Sequence, residues 1–443
     1  MKLDEQALIE FVTAQRWFGS KTRHVTHARV IDHATLRDVE PTLEVALVEI
    51  GFETGTHETY QLLRSGDDLD ALSDPRHVRE LVHMIRGGVT VNAQDGTVEF
   101  RAVEGLAGLG TELLEARPVG AEQSNTSIVF DEELILKVFR RLEPGINPEL
   151  EVLRFLTEHG FENIPALGGW YAYSGGVMST TLGILQEFVR GGIDGWELAL
   201  DELESAPERF LGRLRRLGEV TGRMHTVLGS DSHDPNFAPE TPSVEALGLL
   251  TATVDEEIEK IFLTLPEEDP GVAPIVGRGE EVREQLRMLT HAGSVGKVIR
   301  THGDFHLGQT LWSTEDDDWV ILDFEGEPAR PLAERRRKRS PLRDVAGMVR
   351  SFAYVVSAAE IVRGTQAPDG WEERARENFL AGYLETVDSS MLPSGQEAIQ
   401  RLLTVFELEK AVYELRYELD NRPDWVRIPV AGIQRMIEEG TPA

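Results

Sequence analysis

The sequence predicts an α+β fold in which a strand-rich N-terminal part precedes a mainly helical C-terminal part. Short alternating segments dominate residues 89–190, and a period of two residues is typical of half-buried strands. From residue 191 onward the patterns are long and amphipathic, as in Pro207–Leu228, which indicates helices. A third section, residues 1–88, combines both patterns.

The composition is that of an ordinary globular chain and argues against several classes of function. The 443 residues are 41% hydrophobic and 28% charged, and the formal net charge is −32. So negative a chain repels nucleic acid and anionic lipid, and we expect neither as a partner. The absence of cysteine excludes disulfides, zinc–thiolate sites and cysteine nucleophiles. No long apolar run and no apolar signal core occur, so we expect no membrane span and a cytoplasmic location.

The N-terminal section, residues 1–88, is predicted to be a cap subdomain. A short amphipathic helix over 5–16 is followed by two alternating segments, Leu43–Phe52 and Glu58–Leu63, whose intervening turn residues indicate a hairpin. A second helix is expected over 74–86. Nothing in this section suggests a chemical role.

Residues 89–190 are predicted to form a small lobe of short strands with one inserted helix. That helix begins at Asn147-Pro148 and ends at Gly160, because Asn caps a helix, Pro suits its first turn and Gly stops it. The strands are expected at Thr90–Asn92, Thr97–Ala102, Thr111–Ala116, Thr126–Phe130, Leu134–Arg140 and Gly183–Phe188.

Residues 191–443 are predicted to form a helical lobe. The segment Pro266–Gly279, rich in Pro, Gly and Glu, is interpreted as a surface loop. Helices are expected at Pro207–Leu228, 282–291, 341–359, 370–388, 394–420 and 428–439.

The loop Arg300–Gln309 and the strand that follows it carry the residues most suggestive of chemistry. Asp304 precedes Gln309 by five residues, and Asp323 ends the strand Trp319–Leu322. Phosphoryl transfer needs a carboxylate that orients the acceptor hydroxyl and takes its proton, and an amide and a second carboxylate that hold Mg²⁺ on ATP. Protein kinases use the same order and the same gap, with Asn in place of Gln309. We therefore predict Asp304 as the catalytic base and Gln309 and Asp323 as Mg²⁺ ligands.

Lys137 lies among apolar residues in a predicted strand, on one face with Ile135 and Phe139. A lysine in such a place is costly unless an anion accompanies it. We predict that it contacts the phosphates of ATP and is steadied by a glutamate of the next helix, with Glu151 preferred and Glu149 second. The alternative is an edge-strand lysine exposed to water.

Two further segments are candidates for binding the nucleotide. The first, Gly120–Ser127, is small and polar, and it is either a plain turn or a turn over the triphosphate. In the second, Gln186–Val189, the backbone of a hinge between lobes would contact adenine. The residues predicted to bind the nucleotide in these segments are Gln123, Ser124, Asn125, Thr126, Glu187 and Val189.

Four residues are candidates for the acceptor site. His306 lies two residues beyond Asp304 and is predicted to contact the acceptor. Lys410, Tyr413 and Tyr417 share one helix face, where rings and polar tips suit a sugar. The alternative for these three is an aromatic stripe that faces the core.

Several charged residues near the loop are interpreted as structural. We expect His302 to bond loop backbone, and Arg343 and Asp344 to brace the loop. Glu325 and Glu327 are interpreted as solvated acidic residues, although a second Mg²⁺ or the sugar is an alternative. The basic run Arg335–Arg339 is interpreted as a locally paired loop.

These motifs together resemble those of actinobacterial maltokinases over nearly the whole chain. The shared segments are Arg16-Trp17-Phe18-Gly19, Glu122–Ser127, Ile135–Arg141, Gly145–Pro148, His302–Gln309, Asp323–Pro328 and Arg422-Pro423-Asp424-Trp425. The loop motif is common to aminoglycoside phosphotransferases and many small-molecule kinases, whereas Gln123–Ser127 and the Arg-Pro-x-Trp end are more restrictive.

The resemblance implies a protein-kinase-like bilobal fold with an N-terminal α/β cap at 1–88, a nucleotide-binding lobe at 89–190 and a helical lobe with the sugar site at 191–443. It implies ATP- and Mg²⁺-dependent phosphorylation of maltose on its anomeric hydroxyl, giving maltose 1-phosphate for α-glucan (glycogen) synthesis from trehalose. Trehalose synthase is then a possible partner. On the same resemblance, Asp304, Gln309, Asp323 and Lys137 keep the roles given above.

Two other functions remain open from the sequence. A glucosamine or other aminosugar kinase would share the cap and the Asp304 loop, and its pocket would need carboxylates, for which Glu409, Glu414 and Asp424 are candidates. A docking subunit that no longer transfers phosphate is the alternative outside enzymes, although the intact set of catalytic residues argues against it.

Overall fold

The computed structural model describes residues 4–103, 115–119, 125–266, 268–290, 296–328 and 330–439. The chain falls into two compact units, Met1–Gly191 and Gly192–Ala443, here called the N-terminal and C-terminal units. Strands dominate the first and helices the second, so the predicted α+β class is confirmed.

A four-stranded antiparallel sheet forms the cap within the N-terminal unit. Helix α1 (Glu5–Ala14) begins where the Asp4 side chain accepts a hydrogen bond from the Ala7 N–H, and its buried residues pack on this sheet. The strands, in spatial order, are β1 (Val25–Arg37), β2 (Leu43–Phe52), β3 (His57–Arg64) and β9 (Arg141–Leu142). The predicted hairpin is therefore confirmed as β2–β3.

A seven-stranded antiparallel sheet forms the rest of the N-terminal unit. Its order is β4-β5-β10-β11-β8-β7-β6. Asp74 and Asn147 cap the two helices that accompany it, because their side chains accept hydrogen bonds from first-turn N–H groups. These elements are α2 (Pro75–Gly87), β4 (Thr90–Asn92), β5 (Gly96–Ala102), β6 (Ala116–Pro118), β7 (Asn125–Phe130), β8 (Leu134–Phe139), α3 (Pro148–Glu158), β10 (Leu167–Gly175) and β11 (Ser179–Glu187).

Buried polar side chains join the cap to this larger sheet. Gln61 of β3 is fully buried, and its amide donates to the carbonyls of Phe139 (2.9 Å) and Leu182 (2.8 Å). The Tyr171 hydroxyl donates to the Gln61 amide oxygen at 3.0 Å. Arg140, also buried, pairs with Asp70 of the cap at 2.7 Å. The cap thus supplies hydrogen-bond partners that the larger sheet needs in its interior.

The C-terminal unit contains a small sheet and many helices. The sheet consists of β12 (Gly192–Asp194), β13 (Thr310–Ser313) and β14 (Asp318–Ile321). The helices are α4 (Gly195–Ser205), α5 (Pro207–Leu228), α6 (Val244–Thr264), α7 (Gly279–Thr290), α8 (Leu332–Arg335), α9 (Leu342–Ala358), α10 (Trp371–Thr386), α11 (Gln396–Asn421) and α12 (Arg427–Glu439).

Several elements were missed or misassigned from the sequence. Strand β1 was missed because its buried positions include two alanines and Asp32, which give little apolar signal. Strand β10 and helices α4 and α6 were also missed. The predicted surface loop Pro266–Gly279 buries Val272 and Ile275 in the C-terminal core. Of the predicted strand Thr111–Ala116, residues 111–114 lie outside the described residues.

One helical stretch in the described residues, Leu342–Arg363, is long and apolar enough to cross a membrane by length and composition. In its apolar window 61% of the residues are buried in the protein, and core helices pass the same test. Both Asp344 and Arg350 are buried on this stretch; Asp344 lies 3.0 Å from His225 Nε2, and Arg350 forms an ion pair with Glu414. These features are those of a core helix.

Candidate active site

The loop that carries Asp304 is held by a buried carboxylate, as predicted. Asp344 of α9 accepts hydrogen bonds from the backbone N–H of His302 (2.8 Å) and of Gly303 (3.0 Å). Its carboxylate also lies 3.0 Å from His225 Nε2, and His225 Nδ1 contacts the Tyr383 hydroxyl at 3.1 Å. Burial alone would raise the pKa of Asp344, but the His225 contact outweighs it and the pKa is lowered. The loop therefore rests on an ionised carboxylate.

His302 ties the same loop to the end of β14. Its Nε2–H donates to the Leu322 carbonyl at 2.7 Å, and its ring packs between Phe305 and Phe324. The predicted structural role of His302 is confirmed. Because Leu322 directly precedes Asp323, this bond places the two predicted catalytic segments side by side.

Lys410 of α11 lies beside the predicted base. Its Nζ is 3.2 Å from Asp304 Oδ1 and 3.8 Å from Glu327 Oε1. Burial would lower the pKa of Lys410, but the carboxylates of Asp304, Glu327 and Glu414 outweigh it and raise the pKa. Asp304 is only partly exposed and faces a permanent cation, so its carboxylate is oriented within the site.

Gln309 and Asp323 contact each other, and their oxygens suit a hard divalent cation. The Gln309 amide donates to Asp323 Oδ2 at 3.1 Å. Carboxylate oxygens of Asp323 and Glu325 lie within 4.8 Å of each other. Asp323 has φ +59°, a left-handed conformation that a non-glycine residue adopts only where its surroundings impose it. An all-oxygen donor set of this kind fits Mg²⁺.

His306 caps the short turn that carries Gln309. Its Nδ1 accepts the Gly308 N–H at 3.1 Å, at the start of the single 3₁₀ turn Leu307–Gln309. Burial lowers the pKa of His306, although the nearby Asp304 acts in the opposite direction. This capping role was missed from the sequence, which placed His306 at the acceptor; that contact stays a prediction.

Lys137 lies in the interior of the seven-stranded sheet, because β8 pairs with β7 on one side and β11 on the other. The alternative of an exposed edge lysine is therefore wrong. Its Nζ pairs with Glu149 Oε2 at 2.7 Å, and both side chains are buried. Glu149 is the glutamate that the sequence ranked second. The preferred Glu151 is also buried in the first turn of α3.

The predicted phosphate turn is only partly within the described residues. Gln123 and Ser124 lie outside them, and Asn125 begins β7. The Thr126 hydroxyl accepts a hydrogen bond from Arg140 Nε at 2.8 Å. In the structure Thr126 thus helps to position the arginine that binds Asp70 of the cap.

The predicted hinge has one open backbone donor. The N–H groups of Glu187 and Phe188 bond to the carbonyls of Ala166 (3.0 Å) and Glu133 (2.9 Å). The Val189 N–H makes no hydrogen bond within the described part of the chain. This N–H is therefore open to a ligand, and its contact with adenine stays a prediction.

A cavity surrounds Asp304 in the C-terminal unit. Lys410 and Tyr413 line it, whereas Tyr417 is 44% exposed and packs against Arg422. The structure therefore brings two of the three predicted sugar residues to Asp304. The other lining residues include Glu327, Arg330, Arg337, Arg339, Arg343, Phe406 and Glu409.

The charged walls of this cavity were largely missed from the sequence. Glu327 was interpreted as solvated, but it is mostly buried and pairs with Arg330 and Lys410. Glu325, interpreted in the same way, is also mostly buried, and its carboxylate lies 4.0 Å from Arg335. The basic run Arg335–Arg339 was the available signal, but its position at the cavity depends on the tertiary fold.

Comparison with known proteins identifies the family. A family model described as the phosphotransferase enzyme family (APH) matches residues 115–375, more than half of the chain. The chain belongs to this phosphotransferase family. A second model, the maltokinase N-terminal cap domain, matches residues 11–92. The predicted kinship with maltokinases in the protein-kinase-like superfamily is thereby confirmed.

Relatives within this phosphotransferase family include two glucosamine kinases. That of Streptacidiphilus jiangxiensis is 27% identical over 339 residues, covering 73% of this chain and 74% of the relative. That of Mycolicibacterium smegmatis is 26% identical over 340 residues, covering 73% of this chain and 80% of the relative. Together with the family models they support a sugar kinase.

Solved structures of a glucosamine kinase share the fold. One, in complex with glucosamine, ADP and inorganic phosphate, has a TM-score of 0.72 at 21% identity and covers 96% of this chain and 98% of that one. A second crystal form gives 0.71 at 20% identity, with 98% and 99% covered. The kinase-like fold with an N-terminal cap, predicted from the sequence, is confirmed.

Proposed function

We propose that this phosphotransferase moves the γ-phosphoryl group of ATP to the anomeric hydroxyl of maltose, giving maltose 1-phosphate and ADP. The observation that carries the proposal is the position of Asp304 beside Lys410 in a cavity walled by Tyr413. A carboxylate in a cavity with an aromatic wall is an arrangement that suits transfer of a phosphoryl group to a sugar hydroxyl.

Asp304 acts as the base in this proposal. As the anomeric oxygen bonds to the γ-phosphorus, the bond from that phosphorus to the leaving oxygen of ADP breaks, and the hydroxyl proton passes to the Asp304 carboxylate. Lys410 holds the carboxylate in position and compensates its charge before transfer. The loop keeps its shape through the bonds of His302 and Gly303 to Asp344.

The nucleotide roles follow from the remaining predicted residues. Lys137, positioned by Glu149, binds the phosphates of ATP, and the Val189 N–H with the Glu187 carbonyl contacts adenine. Asn125 stays a candidate for phosphate contact. Gln309, Asp323 and Glu325 would hold Mg²⁺, which when bound neutralises charge that develops on the transferred phosphoryl group.

The available carboxylates favour a neutral acceptor over an aminosugar. Glu409 is paired with Arg343 at 2.7 Å and Glu414 with Arg350 at 2.7 Å, so neither is free for a sugar ammonium. The third candidate, Asp424, is exposed. Glucosamine as the acceptor remains the second candidate, because the curated relatives named above are glucosamine kinases.

The size of the site also favours more than one sugar ring. A second cavity of about 620 Å³ shares Glu327, Arg330, Phe406, Glu409 and Tyr413 with the cavity at Asp304. Tyr413 would stack on the ring nearest the base, and the adjoining space would take the second glucosyl unit. We further propose a cytoplasmic role in α-glucan synthesis, with trehalose synthase as a possible partner.

An ADP-release assay with maltose, glucose and glucosamine tests the acceptor. We expect maltose to give the highest kcat/KM, and ³¹P and ¹H NMR of the product to place the phosphate on the anomeric oxygen. A higher kcat/KM for glucosamine, or phosphate on another oxygen, would refute the maltose assignment. EDTA should abolish ADP release and added Mg²⁺ should restore it, since the transfer needs the metal.

A further inference from the structure

The basic run Arg335–Arg339 lies against the acceptor cavity, and most of its neighbours have identifiable partners. Arg335 donates to the Glu325 carbonyl at 3.2 Å. Lys338 Nζ donates to two backbone carbonyls at 2.7 Å and to Glu240 at 2.5 Å. Farther along, Arg343 pairs with Glu409. These cations are therefore compensated within the protein.

Arg337 and Arg339 differ from these neighbours. Neither guanidinium makes an ion pair or a hydrogen bond within the part of the chain that the structure describes. Both line the cavity at Asp304 and also the adjoining larger cavity. The Arg339 backbone pairs with Ile299, with N···O distances of 2.8 and 2.9 Å, so the position of its side chain is set by the fold.

At Arg339, burial and repulsion from other cations outweigh the attraction of nearby carboxylates. The pKa of Arg339 is lowered to about 10, chiefly by burial and to a smaller extent by repulsion from Arg343 and Arg330. The carboxylates that act in the opposite direction, Glu409 and Glu327, are paired with Arg343 and Arg330. A half-buried guanidinium in a cavity is stabilised best by an anion that enters with the ligand.

We propose that Arg339 and Arg337 form an anion subsite of the acceptor cavity that binds the phosphate group of a sugar phosphate. Guanidinium groups match phosphate oxygens in geometry and charge, and Tyr413 in the same cavity would hold the sugar ring. The ligand class is that of the enzyme's own product. A sugar phosphate bound in this way occupies the acceptor's place, so it inhibits competitively against the sugar. The inference rests on the proposed function only in assigning this cavity to the acceptor.

Calorimetric titration of the nucleotide-free protein tests the subsite without turnover. The probes are maltose 1-phosphate, glucose 1-phosphate, inorganic phosphate and neutral maltose. We expect both sugar phosphates to bind the wild type, and Arg339→Gln to weaken them at least about tenfold, as for the loss of a charged hydrogen bond. Arg339→Lys should recover part of the affinity, because it keeps the charge but not the planar fork.

Matched controls separate a site from a general charge effect. Arg336→Gln removes the same charge from the same segment, but Arg336 lines neither cavity. We expect it to leave sugar-phosphate affinity unchanged, whereas Arg339→Gln should weaken the binding of sugar phosphates more than the binding of neutral maltose. Thermal unfolding of each variant, Arg339→Lys included, shows that the protein is folded.

Three outcomes would overturn the subsite. The wild type binds no sugar phosphate, or Arg339→Gln binds sugar phosphates as tightly as the wild type does. The third is that Arg336→Gln loses as much sugar-phosphate affinity as Arg339→Gln. Inorganic phosphate binding as tightly as the sugar phosphates would overturn the assignment to sugar phosphate. If maltose proves not to be the acceptor but Arg339-dependent sugar-phosphate binding persists, the proposed function fails and the subsite stands.

Discussion

Lys410 Nζ lies 3.2 Å from Asp304 Oδ1, and this contact joins helix α11 to the loop that carries the proposed base. The two residues are more than one hundred positions apart in the chain. Because both side chains stay partly exposed and line the proposed acceptor cavity, changing either member should affect turnover more than folding.

Asp304→Asn removes the proposed base while keeping the shape of the side chain. We expect kcat to fall by roughly 10²–10⁴-fold, the range for loss of acid–base catalysis, with ATP affinity near wild type. Steady-state ADP release and calorimetric ATP binding measure the two quantities. Turnover close to wild type would contradict the assignment of Asp304 and would favour a different base.

Lys410→Gln removes the cation beside the base. We expect kcat/KM for the sugar to fall by about 10- to 100-fold, as for the loss of a hydrogen bond to a charged group. Lys410→Arg should restore part of it by restoring the charge. Calorimetric ATP affinity serves as the control, because it should change little if Lys410 acts on the acceptor side.

Glu149→Gln and Glu151→Gln form a matched pair on the first turn of α3. Glu149→Gln should lower kcat/KM for ATP by about tenfold or more, because it removes the carboxylate charge 2.7 Å from the buried Lys137 Nζ. Glu151→Gln should have the smaller effect. The opposite order would restore Glu151 as the partner that positions Lys137.

Asp344→Asn should destabilise the C-terminal unit. Losing a hydrogen bond to a buried charged group costs roughly 1.5–3 kcal/mol in unfolding free energy, and Asn keeps only one of the two oxygens that accept from the loop. Urea denaturation measures the loss. The same change at Asp318, whose pair with Arg216 is partly exposed, should cost about 1 kcal/mol or less. Equal costs at the two positions would contradict a special role for Asp344.

The protonation of His306 should make stability depend on pH. Its pKa is lowered from the ordinary 6.5, so the unfolded chain gains a proton near that pH before the folded chain does. The contribution of His306 is therefore fully present above pH 6.5 and is lost as pH falls through the folded pKa.

His306→Asn provides the comparison, since Asn can cap the same turn but does not titrate. The difference in unfolding free energy between wild type and variant should shrink between about pH 7.5 and about pH 5.5. His77, whose pKa is also lowered, contributes equally to both proteins and cancels. A difference that does not vary with pH would contradict the prediction.

Local signals in the sequence were sufficient for most elements and for bringing Gln309 and Asp323 together. The starts of α2 and α3 could be predicted at Asp74 and Asn147. A capping side chain bonds N–H groups of the first turn that follows it, so its signal is local in the sequence. Asp304, Gln309 and Asp323 lie close in the chain, and the structure brings Gln309 and Asp323 into contact.

Choices that depend on tertiary packing could not be made from the sequence. Glu149 and Glu151 differ by about 200° around a helix, and only the orientation of α3 decides which one reaches Lys137. The run Arg335–Arg339 has the composition of a surface loop, and its place at the cavity depends on pairing with Ile299, which is distant in the chain.

The amide of Gln61 has a consequence for any attempt to treat the cap as a detachable module. Deleting residues 1–88 would remove the Gln61 amide that donates to the Phe139 and Leu182 carbonyls, and it would remove Asp70, which pairs with the buried Arg140. Each buried polar group left without a hydrogen-bond partner lowers the free energy of unfolding by about 1–3 kcal/mol. We therefore expect the shortened protein to aggregate instead of retaining activity. A chimera with a related kinase would have to exchange residues 1–191 as a block.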